Sequence, residues 1–119
     1  MSVTVVNVRD YKGNGTYIGR AKDPTRSVFG NPYSHIDGTL ARYKVATRED
    51  AIEKYREWVQ YQWENDEYFH LCLSSLVRKH QAGERVVLAC HCAPLPCHGT
   101  VLKEYIEALA FFWNEDTPF

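Results

Sequence analysis

The sequence has no continuous apolar run of the roughly 20 residues that a membrane-spanning helix needs. Its start, Met1-Ser2-Val3-Thr4, lacks the basic segment followed by an apolar one that is typical of an export signal. A charge excess is also missing, because the formal net charge is −1. No broad positive field is therefore available to hold extended DNA or RNA. We expect a cytoplasmic chain without membrane contact, and extended nucleic acid is disfavoured as a partner.

The size and apolar content of the chain fit one domain. Its 119 residues, 45% of them hydrophobic, suffice for a single core. The 4 cysteines could form two disulfides, but a chain with an adequate core and no export signal does not need them. We therefore expect a single domain over residues 1–119 with reduced thiols, in which Cys72 is a small core residue on a helix.

Three segments have the pattern of strands. Residues 86–89 are apolar without alternation, which is typical of a strand covered on both faces in a parallel or mixed sheet. Residues 3–8 are rich in β-branched side chains, and residues 16–18 form a short second strand after a glycine-rich turn. The first two strands are expected to pair as a hairpin or loose ribbon. Residues 21–45 are predicted to be a long loop of a kind that is often functional.

Three helices are predicted, the first capped by Thr47 and separated from the second near residues 65–66. Gly83 is placed to end the second helix, and the third begins near Thr100. The residues expected to face inward are Ile52, Tyr55, Val59, Trp63, Phe69, Leu73, Leu76, Val77, Val101, Leu102, Tyr105, Ile106, Leu109 and Phe112. The predicted fold is a small α/β domain: a mixed sheet of about three to four strands with three flanking helices, Rossmann-like in its last strand-loop-helix unit.

Residues 90–99 carry the strongest chemical pattern. The segment reads Cys-His-Cys-Ala-Pro-Leu-Pro-Cys-His-Gly and joins the apolar strand to the last helix. The two prolines stiffen it. The carboxyl end of a strand that leads into a helix start is where open α/β sheets usually bind ligands. The free N–H groups of that helix start favour an anion, or a thiolate at Cys97.

The first interpretation is a pocket for a nucleotide-like or other phosphorylated small molecule. Arg9 and Arg20 each follow a predicted strand and offer guanidinium groups for an anion. Asn31 in the long loop can donate and accept hydrogen bonds. Gly99 and Thr100 supply the helix start, with a backbone donor and a hydroxyl. If the domain is hydrolase-like, Cys97 or Cys90 would act as the thiolate and His98 would transfer protons. No cofactor is predicted in this interpretation.

Two other interpretations remain open. Cys90, Cys92, Cys97 and His98 have the ligand types and number of a structural zinc site. Their spacing is tighter than the usual paired Cys-x-x-Cys pattern, and this weakens the zinc hypothesis. Alternatively, the segment is a purely structural turn with buried thiols, in a module that binds a protein partner.

Several separated motifs also resemble one family in the same order along the chain. They are Asn7-Val8-Arg9, Tyr17-Ile18-Gly19-Arg20, Phe29-Gly30-Asn31-Pro32, the segment from Ala51 to Trp58 and the cysteine segment. Together they resemble an uncharacterised family, domain of unknown function 4326, and the likeness covers nearly the whole chain. This resemblance implies a bacterial or phage protein and no established activity. The family more often has Trp and Asp where this chain has His91 and Thr100.

Overall fold

A computed structural model describes residues 3–23, 27–91 and 97–112. Within these ranges the chain has an α/β fold, as the sequence predicts. The strands are β1 (Val3–Asn7), β2 (Thr16–Tyr17), β3 (Tyr33–Ser34), β4 (Tyr43–Lys44) and β5 (Val86–Cys90). The helices are α1 (Arg48–Asn65), α2 (Glu67–Gln81) and α3 (His98–Phe112).

The larger sheet has three parallel strands in the order β1-β5-β2. Asn7 of β1 is in register with Cys90, and Tyr17 of β2 is in register with Ala89. The expected hairpin between the first two strands is therefore wrong, because β5 lies between them. Since all three strands run the same way, their carboxyl ends meet at one edge of the sheet.

Strand β5 is buried along its whole length, which confirms the prediction from its uniformly apolar sequence. Val86, Leu88 and Cys90 belong to the main hydrophobic core, which also contains residues from all three helices. Val87 points to the opposite face and is also buried, and a Cβ atom on Gly15 would lie 3.2 Å from its Cγ1. Both faces of the central strand are therefore covered.

The long segment expected to be a loop contains the second sheet. Strands β3 and β4 pair in parallel, and the rings of Tyr33 and Tyr43 stack at a centroid distance of 5.2 Å. Each strand has only two residues. A strand this short has no alternation of polar and apolar residues, so pattern analysis could not detect it.

The helix ends follow the expected capping chemistry. The Thr47 hydroxyl accepts a hydrogen bond from the Asp50 N–H at 3.1 Å and caps α1. Asp66 separates α1 from α2, and its Oδ1 accepts from the Phe69 N–H at 2.9 Å. Gly83 has φ +85°, the left-handed conformation that commonly follows a helix end.

Most of the predicted inward residues are buried or partly buried against the core. Phe112 is the exception: its side chain is 77% exposed, so its assignment to the inward face is wrong. Cys72 is partly buried and packs against the core. No helix within the described ranges has the length and apolar character needed to cross a membrane.

Candidate functional site

A cavity of about 290 Å³ lies at the carboxyl edge of the three-stranded sheet. Its walls come from the ends of β2 and β5, the β3 region and the starts of α1 and α3. The lining residues are Tyr17, Gly19, Arg20, Asn31, Tyr33, Ser34, His35, Ile36, Leu40, Arg48, Ala51, Ile52, His91, Cys97 and His98. This edge is where the sequence predicts a ligand site.

Arg20 links two walls of the cavity. Its Nη1 donates to the carbonyl oxygen of Asn31 at 2.9 Å and to that of Tyr33 at 3.4 Å. A Cβ atom on Gly30 would lie 2.9 Å from the Gly19 carbonyl oxygen, so this position requires glycine for the close approach. The end of β2 and the residues before β3 are therefore held together tightly.

The side-chain amide of Asn31 is buried and bonded at both ends. Its Nδ2 donates to the Ala51 carbonyl oxygen at 3.1 Å, and its Oδ1 accepts from the Tyr33 N–H at 2.9 Å. The side chain is only 5% exposed. Asn31 lines the cavity, but these two hydrogen bonds use its amide to connect the loop to α1.

His98 is buried at the start of α3, and its Nε2 lies 2.6 Å from the carbonyl oxygen of Ile18. Because a carbonyl can only accept, Nε2 carries the proton and donates it. Burial lowers the pKa of His98 to about 4, and the nearby charge of Arg20 also lowers it, against the opposing effect of the Ile18 hydrogen bond. At neutral pH His98 is therefore uncharged, and its Nδ1 can act only as an acceptor.

Cys97 and Cys90 form a buried thiol pair with Sγ atoms 3.5 Å apart. Cys90 ends β5, and Cys97 directly precedes α3. The Gly99 N–H donates to the Cys97 Sγ at 3.3 Å, so this sulfur acts as the cap of the helix. Cys97 lines the cavity, whereas Cys90 is not in its lining.

Tyr55 supports this corner from α1. Burial raises the pKa of its hydroxyl well above the usual value, and the nearby Cys97 raises it further. The hydroxyl therefore stays protonated and donates to the Phe29 carbonyl oxygen at 2.6 Å. The ring also meets the His98 ring edge-on at a centroid distance of 4.9 Å. Tyr55 thus forms one side of the buried surroundings of His98.

The cavity is cationic. Arg20 and Arg48 line it, and no Asp or Glu is among the described residues in its walls. Arg48 is the first residue of α1, so the positive end of a second helix dipole adds to its charge. Sequence reasoning missed Arg48, as it missed His35 and Ser34. The position of Arg48 was itself a signal. A positively charged side chain in the first turn of a helix is electrostatically unfavourable, so its presence there favours a role other than stabilising the helix.

The remaining predicted site residues lie outside the cavity lining. Arg9 is exposed in the turn that follows β1. Since β5 lies between β1 and β2, the two arginines follow strands about 10 Å apart. Gly99 packs against the sheet, where an added Cβ would lie 2.8 Å from Val5 Cγ1. Thr100 is exposed, and its N–H donates to the Cys97 carbonyl oxygen at 3.1 Å.

The zinc hypothesis involves one residue outside the described ranges, Cys92. Among the described residues, no group of three or more His, Cys, Asp and Glu side chains is arranged to hold a metal ion. His98 already directs Nε2 to Ile18, so only its Nδ1 could serve as a ligand.

The comparisons with known proteins identify the family of this chain. The model of the family described as "Domain of unknown function (DUF4326)" matches residues 6–108. No curated protein and no solved structure matches the chain. The matched segment includes every described residue that lines the cavity, and it ends within α3. Since it covers most of the sequence, the chain belongs to the DUF4326 family.

Proposed function

We propose that the cavity binds a small anionic ligand, either a nucleotide-like molecule or another phosphorylated compound. The observation that carries this proposal is the charge of the walls: Arg20 and Arg48 line the cavity, with no carboxylate among its described residues. The net charge of the whole chain is −1. The positive charge is therefore a local feature of this cavity and does not reflect a basic protein.

The arrangement of polar and apolar groups supports a ligand with two chemical parts. The two arginines and the start of α1 favour a phosphate, which accepts charged hydrogen bonds from guanidinium groups. Tyr17, Ile36 and Leu40 add aromatic and aliphatic surface to the same cavity. A volume of about 290 Å³ lies just below the range of roughly 300 to 1,000 Å³ for ligand pockets. A base or sugar attached to one phosphate group fits this description.

Hydrolase-like chemistry at this site would use the Cys97 sulfur and the His98 Nδ1. Both residues line the cavity. A neutral His98 with protonated Nε2 can accept a proton at Nδ1 but cannot donate one from it. Catalysis would also require a reacting atom within about 3 Å of these groups. Binding is therefore the primary proposal, and turnover is tested only after a ligand is found.

The first experiment is native mass spectrometry of the full chain purified from cells, to find a retained metabolite. Isothermal titration with inorganic phosphate and with nucleoside monophosphates follows. We expect Arg48→Gln to weaken binding about 10- to 100-fold, because a hydrogen bond to a charged group contributes roughly 1.5 to 3 kcal/mol. Arg9→Gln is the matched control, since Arg9 lies outside the cavity lining.

Equal weakening by the two substitutions would contradict the proposal, because general surface charge would then explain the binding. The absence of any retained anion together with no binding of phosphate or nucleoside monophosphates would also contradict it. In that case a protein-interaction module becomes the better hypothesis.

A further inference from the structure

The contact between Cys90 and Cys97 has a chemistry separate from ligand binding. Both residues are buried, with exposed fractions of 0% and 4%, and both are in thiol form. Their Sγ atoms are 3.5 Å apart. A disulfide requires about 2.05 Å between sulfur atoms, so a relative movement of about 1.5 Å would bring the pair to bonding distance.

The two sulfurs differ in their access to the cavity. Cys97 lines the cavity, whereas Cys90 does not. The Gly99 N–H donates to the Cys97 Sγ, at the positive end of α3. This donor and the helix dipole stabilise negative charge on the Cys97 sulfur, whereas burial opposes it. A small reagent that enters the cavity therefore meets Cys97 first.

We infer that Cys97 and Cys90 form a peroxide-sensitive thiol pair, in which Cys97 reacts with the oxidant and Cys90 resolves the product. The Cys97 thiolate attacks one oxygen of hydrogen peroxide, so that an S–O bond forms and the O–O bond breaks. The departing hydroxide takes a proton and becomes water. Cys97 is now a sulfenic acid, oxidised by two electrons, and the peroxide is reduced.

In the second step the Cys90 sulfur attacks the Cys97 sulfur. The S–S bond forms, the S–O bond breaks, and hydroxide leaves with the proton of Cys90 as a second water. Two thiols and one peroxide thus become one disulfide and two waters. A dithiol reductant reverses the change. The disulfide alters both the cap of α3 and a wall of the cavity, because Cys97 belongs to both.

The test uses the full chain, reduced and desalted, then treated with near-stoichiometric hydrogen peroxide and alkylated. Residues 86–103 contain no lysine or arginine before Lys103, so one tryptic peptide carries Cys90, Cys92 and Cys97. We expect this peptide to lose two hydrogens, with fragmentation spectra assigning the link to Cys90 and Cys97. The loss should persist in Cys92→Ser and in Cys72→Ser.

Trapping the intermediate separates the roles of the two thiols. In Cys90→Ser, dimedone should label Cys97, because the resolving thiol is missing. In Cys97→Ser, neither the disulfide nor the label should form. If a variant does not fold, dimedone trapping in the wild-type chain at short reaction times gives the same assignment, with the label expected on Cys97.

Four results would overturn the inference. They are a link that involves Cys92, oxidation of Cys72 before the pair, dimedone labelling of Cys90 in place of Cys97, and reaction only after denaturant is added. None of these depends on whether the cavity binds a phosphorylated ligand, so the two proposals fail independently.

Discussion

The imidazole of His98 donates from Nε2 to the carbonyl oxygen of Ile18 at 2.6 Å, across 80 residues of sequence. This hydrogen bond joins the start of α3 to the residue that follows β2. The ring is buried among neighbours that include Tyr55 and the charge of Arg20. Protonation of Nδ1 would place a second positive charge near Arg20 at a buried position.

We therefore expect the free energy of unfolding to fall as the pH drops from 6.5 to 4. Burial lowers the pKa of His98 from 6.5 to about 4 in the folded chain. Above pH 6.5 the residue is neutral in both states. Between the two values the unfolded chain takes up a proton that the folded chain does not. The loss should reach about 3 kcal/mol near pH 4, and urea denaturation across this range measures it.

The control for this pH dependence is His98→Gln. Glutamine keeps a donor for the Ile18 carbonyl oxygen but does not titrate, so the slope between pH 6.5 and 4 should be flatter than in the wild type. Carboxylates that titrate in the same range contribute to both proteins and cancel in the comparison. Identical slopes would mean that His98 takes up its proton without cost in the folded chain.

Asn31→Ala should destabilise the fold by about 2 to 4 kcal/mol, because it removes two buried hydrogen bonds and leaves the Tyr33 N–H without its acceptor. Chemical denaturation measures this loss. Asn31→Asp should be no better than alanine, since its carboxylate has no donor for the Ala51 carbonyl oxygen. Asn65→Ala is the control. Asn65 donates to the Tyr61 carbonyl oxygen at an exposed position, so its loss should cost less than about 0.5 kcal/mol.

Leu88→Ala should lower the free energy of unfolding by about 2 to 5 kcal/mol, because Leu88 is fully buried in the central strand. Leu71→Ala on α2 makes the same chemical change at a side chain that is 60% exposed. It should cost less than about 1 kcal/mol. Similar losses in the two variants would mean that β5 is not the centre of the core.

Local chemistry in the sequence was enough to predict the central strand and the helix caps. The apolar run of β5 requires cover on both faces, and Thr47 and Gly83 have side-chain or backbone properties that suit helix ends. Strand pairing was predicted wrongly for β1 and β2. Their partner is β5, which lies far along the chain, and no local pattern reports that choice.

The same limit affected the candidate site. The sequence predicts a ligand site at the carboxyl edge of the sheet, and Arg20, Asn31, Cys97 and His98 line one cavity there. Arg9 does not line it, because the strand order separates the ends of β1 and β2. Arg48 was missed because it enters the cavity from α1, which the sequence only marked as an amphipathic helix.

The position of Gly99 gives a prediction about how α3 meets the sheet. A Cβ atom there would lie 2.8 Å from Val5 Cγ1 and 3.1 Å from Ile18 Cδ1, closer than carbon atoms normally approach. Gly99→Ala should therefore push α3 away from β1 and destabilise the fold by about 1 to 3 kcal/mol, as overpacking usually does. Thermal and urea unfolding measure the effect.

A double-mutant cycle with Val5→Ala tests whether this contact is the cause. Val5→Ala alone removes two methyl groups from a partly buried position and should cost about 1 to 2 kcal/mol. Because it also removes the Cγ1 atom that meets the new Cβ, the double variant should be more stable than the sum of the single losses by about 0.5 kcal/mol or more. Strict additivity would show that α3 does not pack against β1 through these two residues. In that case the predicted loss in Gly99→Ala would have to arise elsewhere, with Ile18 as the next contact to test.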